Sequence, residues 1–567
     1  MRQANRRIRL LVAVFALVFV AASGRVAWLQ AVKAQTLDRL ATNQHREELN
    51  VPARRGTIFD RLGVQLALGE RAITVYANPK QVVDPREAAL AAGRALELDP
   101  GKLYPLLADR SRGFVYLARK ADPEKAKALE ADGIVGLGFY PEERRAYPQR
   151  AVASEVVGYA GMENTGLAGL ELRYDEVLAG ENGSKTIVRD PFGRMLDEVD
   201  SKPVRNGRDV HLTVDNSLQG QVERILRRTR EKWGAKAATA VVLDATTGGV
   251  LALGVEPGFD ANGYAAISRW GQQRLRNRAV TDTYEPGSTF KVVTIGAVLE
   301  TGLVSPWTKF RLPGSIRVAD RVIHDAVPRG AQTMSVAQIL SQSSNVGVIT
   351  LAIQLQRQRL SEWIRRFGFG RKTGVDYPGE TRGIVLPPDE WSGSTIGNVA
   401  IGQGFAVTPL QLAAAYGAIA NGGVWLEPHL VERVEGGAPV APKRRRVVSR
   451  RTARQLTQML RGVVEEGSGT PAKVPGYRVA GKTGTAAKPE PTGGYSTSRY
   501  VASFVGFVPA SRPRLVVLVT VDEPQGVIWG GTVAAPVFSE IAQFALQYLE
   551  VPPDAPRTVD GATTRRA

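Results

Sequence analysis

Apolar and polar positions divide this chain into stretches of different texture. Residues 1–9 carry Arg2, Arg6, Arg7 and Arg9 and no acid, and Leu10 to Ala22 is then unbroken apolar sequence. Extended through Val26, Ala27, Trp28 and Leu29, the stretch is long enough to cross a bilayer if Arg9 and Arg25 snorkel to the interfaces. Basic residues ahead of the span predict an N-terminus inside and the bulk of the chain outside. The small residues Ala21-Ala22-Ser23 also allow a cleaved signal. Continuation of apolar sequence to Leu29 favours an anchor, and either reading sends the remainder across the membrane.

From 31 to 205 the pattern is mixed. Short strands such as Ala72 to Tyr76 alternate with helices predicted at 86–97 and 123–132, and no repeat of fixed period stands out. No constellation of catalytic residues occurs there, so this stretch reads as a structural or docking module. The texture changes near 206. Asp215 can cap a helix whose apolar stripe is Leu218, Val222, Ile225 and Leu226. Thr239 to Asp244 and Val250 to Val255 flank a Gly turn and predict a hairpin, as do Ala502 to Val508 and Arg514 to Val521. Tyr477 to Ala480 is a fifth strand candidate, and Val533 to Leu549 a closing helix. Residues 260–470 read as mostly helix and loop. Strands at both ends with helices between predict an antiparallel sheet with a helical insert, here assigned to 206–550. The tail, 551–567, is rich in Pro, Thr and Arg and is expected to be disordered.

Composition narrows the chemistry. The 567 residues suit two to four domains, and 43% hydrophobic against 23% charged is an ordinary globular balance. The net charge of +19 favours anionic partners. No zinc-finger, basic-zipper or RNA-binding signature points to nucleic acid. Cysteine is absent, which excludes disulfides, thiolate metal sites and a Cys nucleophile. The histidines are His45, His211, His324 and His429, none in a metal-ligand spacing, and a Ser-His-Asp triad would have to use one of them.

Three short motifs carry the chemistry. In Glu285-Pro286-Gly287-Ser288-Thr289-Phe290-Lys291, Pro and Gly precede a helical run, which puts Ser288 near a helix start with Lys291 one turn away on the same face. A serine is a weak nucleophile until a base takes its proton, and a desolvated lysine can be that base. Free amides at the helix start can stabilise an oxyanion. In Ser343-Ser344-Asn345 a hydroxyl and an amide two residues apart can face one cavity, the first to relay a proton and the second to hold a peptide carbonyl. Lys482-Thr483-Gly484-Thr485 offers a cation and hydroxyls to a carboxylate, with a glycine that admits a close approach. Each motif is weak alone. Their joint order, S-x-x-K, S-x-N and K-T-G, is the set of penicillin-binding proteins and class A β-lactamases. Gly476 to Thr483 also matches a phosphate-loop pattern letter for letter. Such a loop must open a helix, and the Pro- and Gly-rich residues after Thr485 cannot form one.

With these motifs placed, the chain resembles the class B penicillin-binding proteins over nearly its whole length, nearest the division and sporulation (FtsI-like) branch. The resemblance includes Arg55 to Arg61, Gly166 to Glu171, Ile401 to Gly404, Thr408 to Gln411, Ala502 to Gly506 and Gly531 to Phe538. It implies a single N-terminal transmembrane helix (1–30), an α+β pedestal resembling a dimerisation domain (31–205), and a β-lactamase-like transpeptidase domain with a five-stranded antiparallel sheet flanked by helices (206–550). It further implies a D,D-transpeptidase that cross-links peptidoglycan stem peptides outside the cytoplasmic membrane, in septal wall synthesis, and that β-lactams acylate. By motif match Ser288 is the nucleophile, Lys291 the base, Ser343 the proton shuttle and Asn345 a donor-peptide ligand. Lys482, Thr483 and Thr485 bind carboxylate beside Gly484, and the amides of Ser288 and Thr485 form the oxyanion hole. No metal or cofactor is implied. The implied partner is a polytopic SEDS-family glycan polymerase, FtsW- or RodA-like, and Arg54, Arg55 and Arg61 are a candidate contact patch. An elongation-type enzyme and an inactive scaffold are the alternatives. The length and the pedestal argue against a β-lactamase, and the missing glycosyltransferase domain argues against the bifunctional class.

Overall fold

A computed structural model describes residues 2–31, 46–189, 195–263 and 274–555. The chain forms two compact units. One gathers the segment up to Arg54 with Gly180–Gly207, and the other gathers Arg55–Ala179 with the chain from Arg208 onward.

The first unit contains helix α1 (Arg2–Ala31), of which Asn5–Ala31 is long and apolar enough to cross a membrane. Its apolar side chains are uncovered: Phe15, Leu17 and Phe19 are each more than 70% exposed. Arg25 lies 4.8 Å over the Trp28 ring at its far end. The same unit holds a three-stranded antiparallel sheet, with Gly183–Arg189 between Arg46–Val51 and Met195–Lys202.

In the second unit the long strand Gln65–Ala77 pairs with Val115–Ala121 on one side and Leu137–Ala146 on the other. Helices Pro85–Leu96, Pro100–Ala108 and Pro123–Ala131 all begin on Asp-Pro. The carboxylates of Asp84, Asp99 and Asp122 take up free amides of the first turns, and proline sits where no N–H is needed. The segment Arg55 to Arg61 is held from beneath. Arg55 is buried, donating to Glu171 at 2.8 Å and Asp175 at 2.7 Å, and Arg145 reaches the same Glu171 at 2.6 Å. Arg61 pairs with Asp215 at 2.9 Å. The expected Arg54, Arg55 and Arg61 contact patch is therefore corrected at Arg55, which is buried and spent on internal carboxylates; Arg54 and Arg61 are exposed, Arg61 while paired with Asp215.

The remainder of this unit is built on the predicted five-stranded sheet. Its elements are α2 (Asn216–Lys232), β1 (Ala237–Asp244), β2 (Val250–Glu256), α3 (Lys291–Glu300), α4 (Asn345–Leu355), α5 (Pro409–Ala420), α6 (Arg450–Glu465), β3 (Ala480–Pro489), β4 (Tyr495–Val508), β5 (Leu515–Asp522) and α7 (Ala535–Tyr548). The strand order is β2-β1-β5-β4-β3, antiparallel throughout. Alternate residues serve the two faces, as the two-residue period requires. Val242, Val517 and Phe504 pack with Val222 and Leu226 of α2 and Phe538 and Ile541 of α7. Val241, Leu518 and Phe507 pack into the larger core with α3, α5 and α6. Asp215 caps α2 as expected, accepting from Ser217 N and Leu218 N.

One strand expectation needs correction. The strand placed at Tyr477 to Ala480 in fact starts at Ala480 and runs to Pro489, so it carries the K-T-G triplet along its length. Its sequence lacks a β-branched or apolar run. Pairing with the apolar β4 forms it, with Ala480 opposite Phe507 and Lys482 opposite Val505. The middle of the domain, expected to be mostly helix and loop, also holds small hairpins, Ser315–Val318 with Arg321–His324 among them. Within the tail, Val551 O accepts from Tyr477 Oη and Asp554 Oδ1 from Arg478 N. Residues 556–567, which carry most of the expected disorder, lie outside the described residues.

Candidate active site

The three motifs meet at the β3 edge of the sheet. Gly287–Phe290 forms one 3-10 turn that runs directly into α3, placing Ser288 half-buried at the helix entry and Lys291 fully buried in its first turn. The preceding Gly287 has φ +54°, and a Cβ there would stand 3.1 Å from Thr485 O. The loop that carries Ser288 thus backs onto β3. From the other side Gly402 presses on it: Gly287 N donates to Gly402 O at 2.9 Å, and a Cβ on Gly402 would lie 2.1 Å from Gly287 O. Tyr416 Oη fixes Thr289 O at 2.8 Å.

Ser343 sits between two helices with φ +56°, a left-handed conformation uncommon for serine. Lys291 Nζ donates to Ser343 O at 2.6 Å, Ser343 Oγ at 3.2 Å and Asn345 Oδ1 at 2.6 Å. The first two motifs are therefore joined through the lysine. Asp325, which the sequence did not single out, holds the second in place. Its Oδ1 accepts from Asn345 N at 2.5 Å, Val346 N at 3.0 Å and Ser344 Oγ at 3.1 Å, capping α4 with a negative charge. Ser344 Oγ in turn accepts from Gly347 N, and Asn345 Nδ2 donates to His324 O.

On β3, Lys482 is fully buried and donates to Thr483 O and Oγ1, both at 3.2 Å. Thr483 Oγ1 also meets Ser468 Oγ at 2.8 Å, and Thr485 Oγ1 accepts from Gly530 N at 3.0 Å. Gly484 was expected to make room for a bound acyl group. The structure adds a reason within the protein, because a Cβ there would lie 2.4 Å from Ser503 Oγ and 2.9 Å from Thr289 Cγ2. The glycine lets the third motif close on the first.

Burial sets the electrostatics. Lys291 is held well below the ordinary lysine range, first by desolvation and then by the nearby Lys482 charge, with Asp325 opposing and Arg329 adding. Lys482 is pushed down to about 7 by burial. The result is a buried lysine shifted toward its neutral form beside the Ser343 hydroxyl, and a second buried lysine on β3. Glu285, quoted in the first motif but given no role there, is raised by burial and takes hydrogen bonds from Gly404 N at 2.9 Å and Tyr495 Oη at 3.1 Å. It ties the start of β4 to the loop that carries Ser288.

A serine at a helix entry one turn before a buried lysine, with a second buried lysine on the edge strand of an antiparallel sheet, defines the penicilloyl-serine transferase class. The chain belongs to the class B penicillin-binding proteins: the penicillin-binding protein transpeptidase domain matches residues 238–543, and the penicillin-binding protein dimerisation domain matches residues 50–212. It is 36% identical to stage V sporulation protein D of Bacillus subtilis, over 95% of this chain and 85% of that protein. It is 32% identical to the peptidoglycan D,D-transpeptidase FtsI of Escherichia coli K12, over 95% and 91%. Among solved structures it resembles penicillin binding protein 3 of Mycobacterium tuberculosis complexed with aztreonam. That match has a TM-score of 0.72 and 33% identity, over 91% of this chain and 100% of that one.

Proposed function

We propose that this protein cross-links peptidoglycan stem peptides by serine acyl transfer. The observation that carries the reading is the single cluster of Ser288, Lys291, Ser343, Asn345 and Lys482, in which both lysines are buried and shifted toward the neutral form. Ser288 Oγ adds to the carbonyl of the D-Ala-D-Ala bond and yields its proton to Lys291. The amides of Ser288 and Thr485 receive the oxyanion. As the C–N bond breaks, Ser343 relays a proton to the departing amine. An amine of a second stem then attacks the ester and restores Ser288. Asn345 orients the donor peptide, while Lys482, Thr483 and Thr485 hold its carboxylate beside Gly484. A β-lactam enters the same path and stops at the ester.

The apolar α1 supports a single-pass anchor in the cytoplasmic membrane with the catalytic domain outside, 31–205 serving as pedestal and 206–550 as catalytic domain. Septal wall synthesis is the role that fits the FtsI and sporulation relatives. A polytopic SEDS-family polymerase is the partner that fits a cross-linker with a long non-catalytic pedestal, since coupling raises the effective concentration of new strands. Incubation with a penicillin tests the core of the reading. The intact chain gains one drug mass, mapped by peptide mass spectrometry to Ser288, and Ser288→Ala gains none. Equal labelling of the alanine variant overturns the assignment.

A further inference from the structure

A cleft of about 550 Å³ opens in the second unit on residues that none of the catalytic motifs uses. Arg119, Lys120, Arg144, Arg145 and Arg150 line it, against one lining acid, Glu70. Tyr147, Pro148 and Met162 supply an apolar wall.

Two of these cations are built into the floor. Lys120 lies on the strand Val115–Ala121, where the pairing slips between Ile73–Ala121 and Val75–Ala118, so that one extra residue is accommodated. Such a bulge re-aims a side chain. Lys120 takes φ +53°, and its amide is pinned to Thr74 Oγ1 at 2.9 Å. The side chain is turned inward until the residue is 8% exposed, and Nζ donates to an amide oxygen, Asn164 Oδ1, at 2.7 Å. A buried ammonium that donates to an amide oxygen is costly to keep, and burial lowers its pKa while Glu142, Glu163 and Glu143 oppose. Arg145, also 8% exposed, spends Nε on Glu171 and Nη1 on Gly56 O at 2.8 Å, while its buried Nη2 has no partner. A lysine with donors to spare and an arginine with an unspent nitrogen therefore border one cavity. On the rim, Arg144–Glu70 at 2.8 Å and Arg150–Asp260 at 2.9 Å are solvent-exposed pairs of small net worth, which a ligand's charge can replace.

We propose that this cleft is a second binding site, for a small amphipathic ligand bearing an oxyanion held by Lys120 and Arg145. The apolar wall favours a carboxylate on a peptide over an inorganic phosphate. Given the proposed transpeptidation, on which this part of the inference rests, a stem peptide of uncross-linked wall is the natural source.

Full-length protein in detergent, first treated with penicillin to occupy Ser288, is titrated with three probes while fluorescence anisotropy is read. These are a fluorophore-tagged stem pentapeptide, the same peptide with its carboxylates amidated, and inorganic diphosphate as competitor. The tagged peptide is expected to bind saturably, and amidation to abolish binding. Lys120→Met should raise the dissociation constant at least about tenfold, as loss of one partner of a buried charged contact does. Arg150→Gln on the exposed rim, which leaves the interior untouched, should raise it less. Displacement by diphosphate supports the oxyanion site with phosphate as the source, and resistance supports it with the peptide as the source. Thermal unfolding checks that each variant is folded. Unchanged affinity in both variants, or equal binding of the amidated peptide, overturns the proposal. Whether penicillin labels the protein is read separately by mass, so failure of the transpeptidase reading appears as unlabelled protein and not as loss of Lys120 dependence.

Discussion

At the scale of single residues, burial shifts both lysines toward the neutral form, Lys291 well down and Lys482 to about 7, where it is a cation for only part of the population at physiological pH. The free-enzyme acylation rate should therefore fall as pH rises through about 7, as Lys482 gives up the proton that attracts a carboxylate. Lys482→Arg keeps its charge throughout this range. In stopped-flow acylation by a penicillin from pH 6 to 10, the variant is expected to be slower but to lose the descending limb. A descending limb at the same pH in the arginine variant would assign it to another group. The three motifs that supply the candidate site were legible in the sequence because each sets a serine, a lysine or a glycine at fixed local offsets. Asp325 and Glu285 were not legible. Each acts by holding backbone amides or a hydroxyl far along the chain, Asn345 N for one and Gly404 N and Tyr495 Oη for the other, and no local spacing records that.

At the scale of elements, the site depends on backbones approaching more closely than side chains permit. Gly402 has φ +85° and leaves no room for a methyl beside Gly287 O, whereas Gly436 has φ +71° and nothing within 4 Å. Comparing alanine at both positions separates backbone strain from close approach. Gly436→Ala should cost about 1 kcal/mol. Gly402→Ala should cost at least about 2 kcal/mol more and slow acylation by about tenfold or more, because the nucleophile loop must shift. Thermal unfolding and penicillin labelling read the two effects. Equal losses would show that the contact with Gly287 is unimportant. The helices that start at Pro85, Pro123 and Asn216 were readable in the sequence, whereas Pro100–Ala108 was not placed although it has the same Asp-Pro start. β3 was misplaced because a strand of Gly, Lys, Thr and Ala carries no strand pattern of its own and takes its register from β4.

At the scale of the whole molecule, a buried acid cluster joins the short helix Ser154–Val157 to α2 and the end of β2. Glu223 accepts from Ala153 N at 2.9 Å and from Gln219 Nε2 at 2.8 Å. Burial pushes it up to about 7, with Glu256 adding and Arg227 opposing. Glu155 beside it is raised well above the carboxylate range, again by burial and then by Glu223. Unfolded, Glu223 ionises near 4.3. Between that value and about 7 the unfolded chain has lost the proton and the folded chain keeps it, so stability falls as pH rises across this window and levels above it. Glu223→Gln stays neutral and can still accept both hydrogen bonds. Its melting temperature should exceed the parent's at pH 8, by the equivalent of about 1–3 kcal/mol, and match it near pH 4. A gain independent of pH would reject this account. The open border of the sheet has a different consequence. Among the described residues β3 has a strand neighbour on one side alone, β4. An extended peptide laid along the other side would be read through its main chain, which every sequence shares. Such a border tolerates variety in the guest's side chains, and it leaves selectivity to the few groups that meet the guest's charged end.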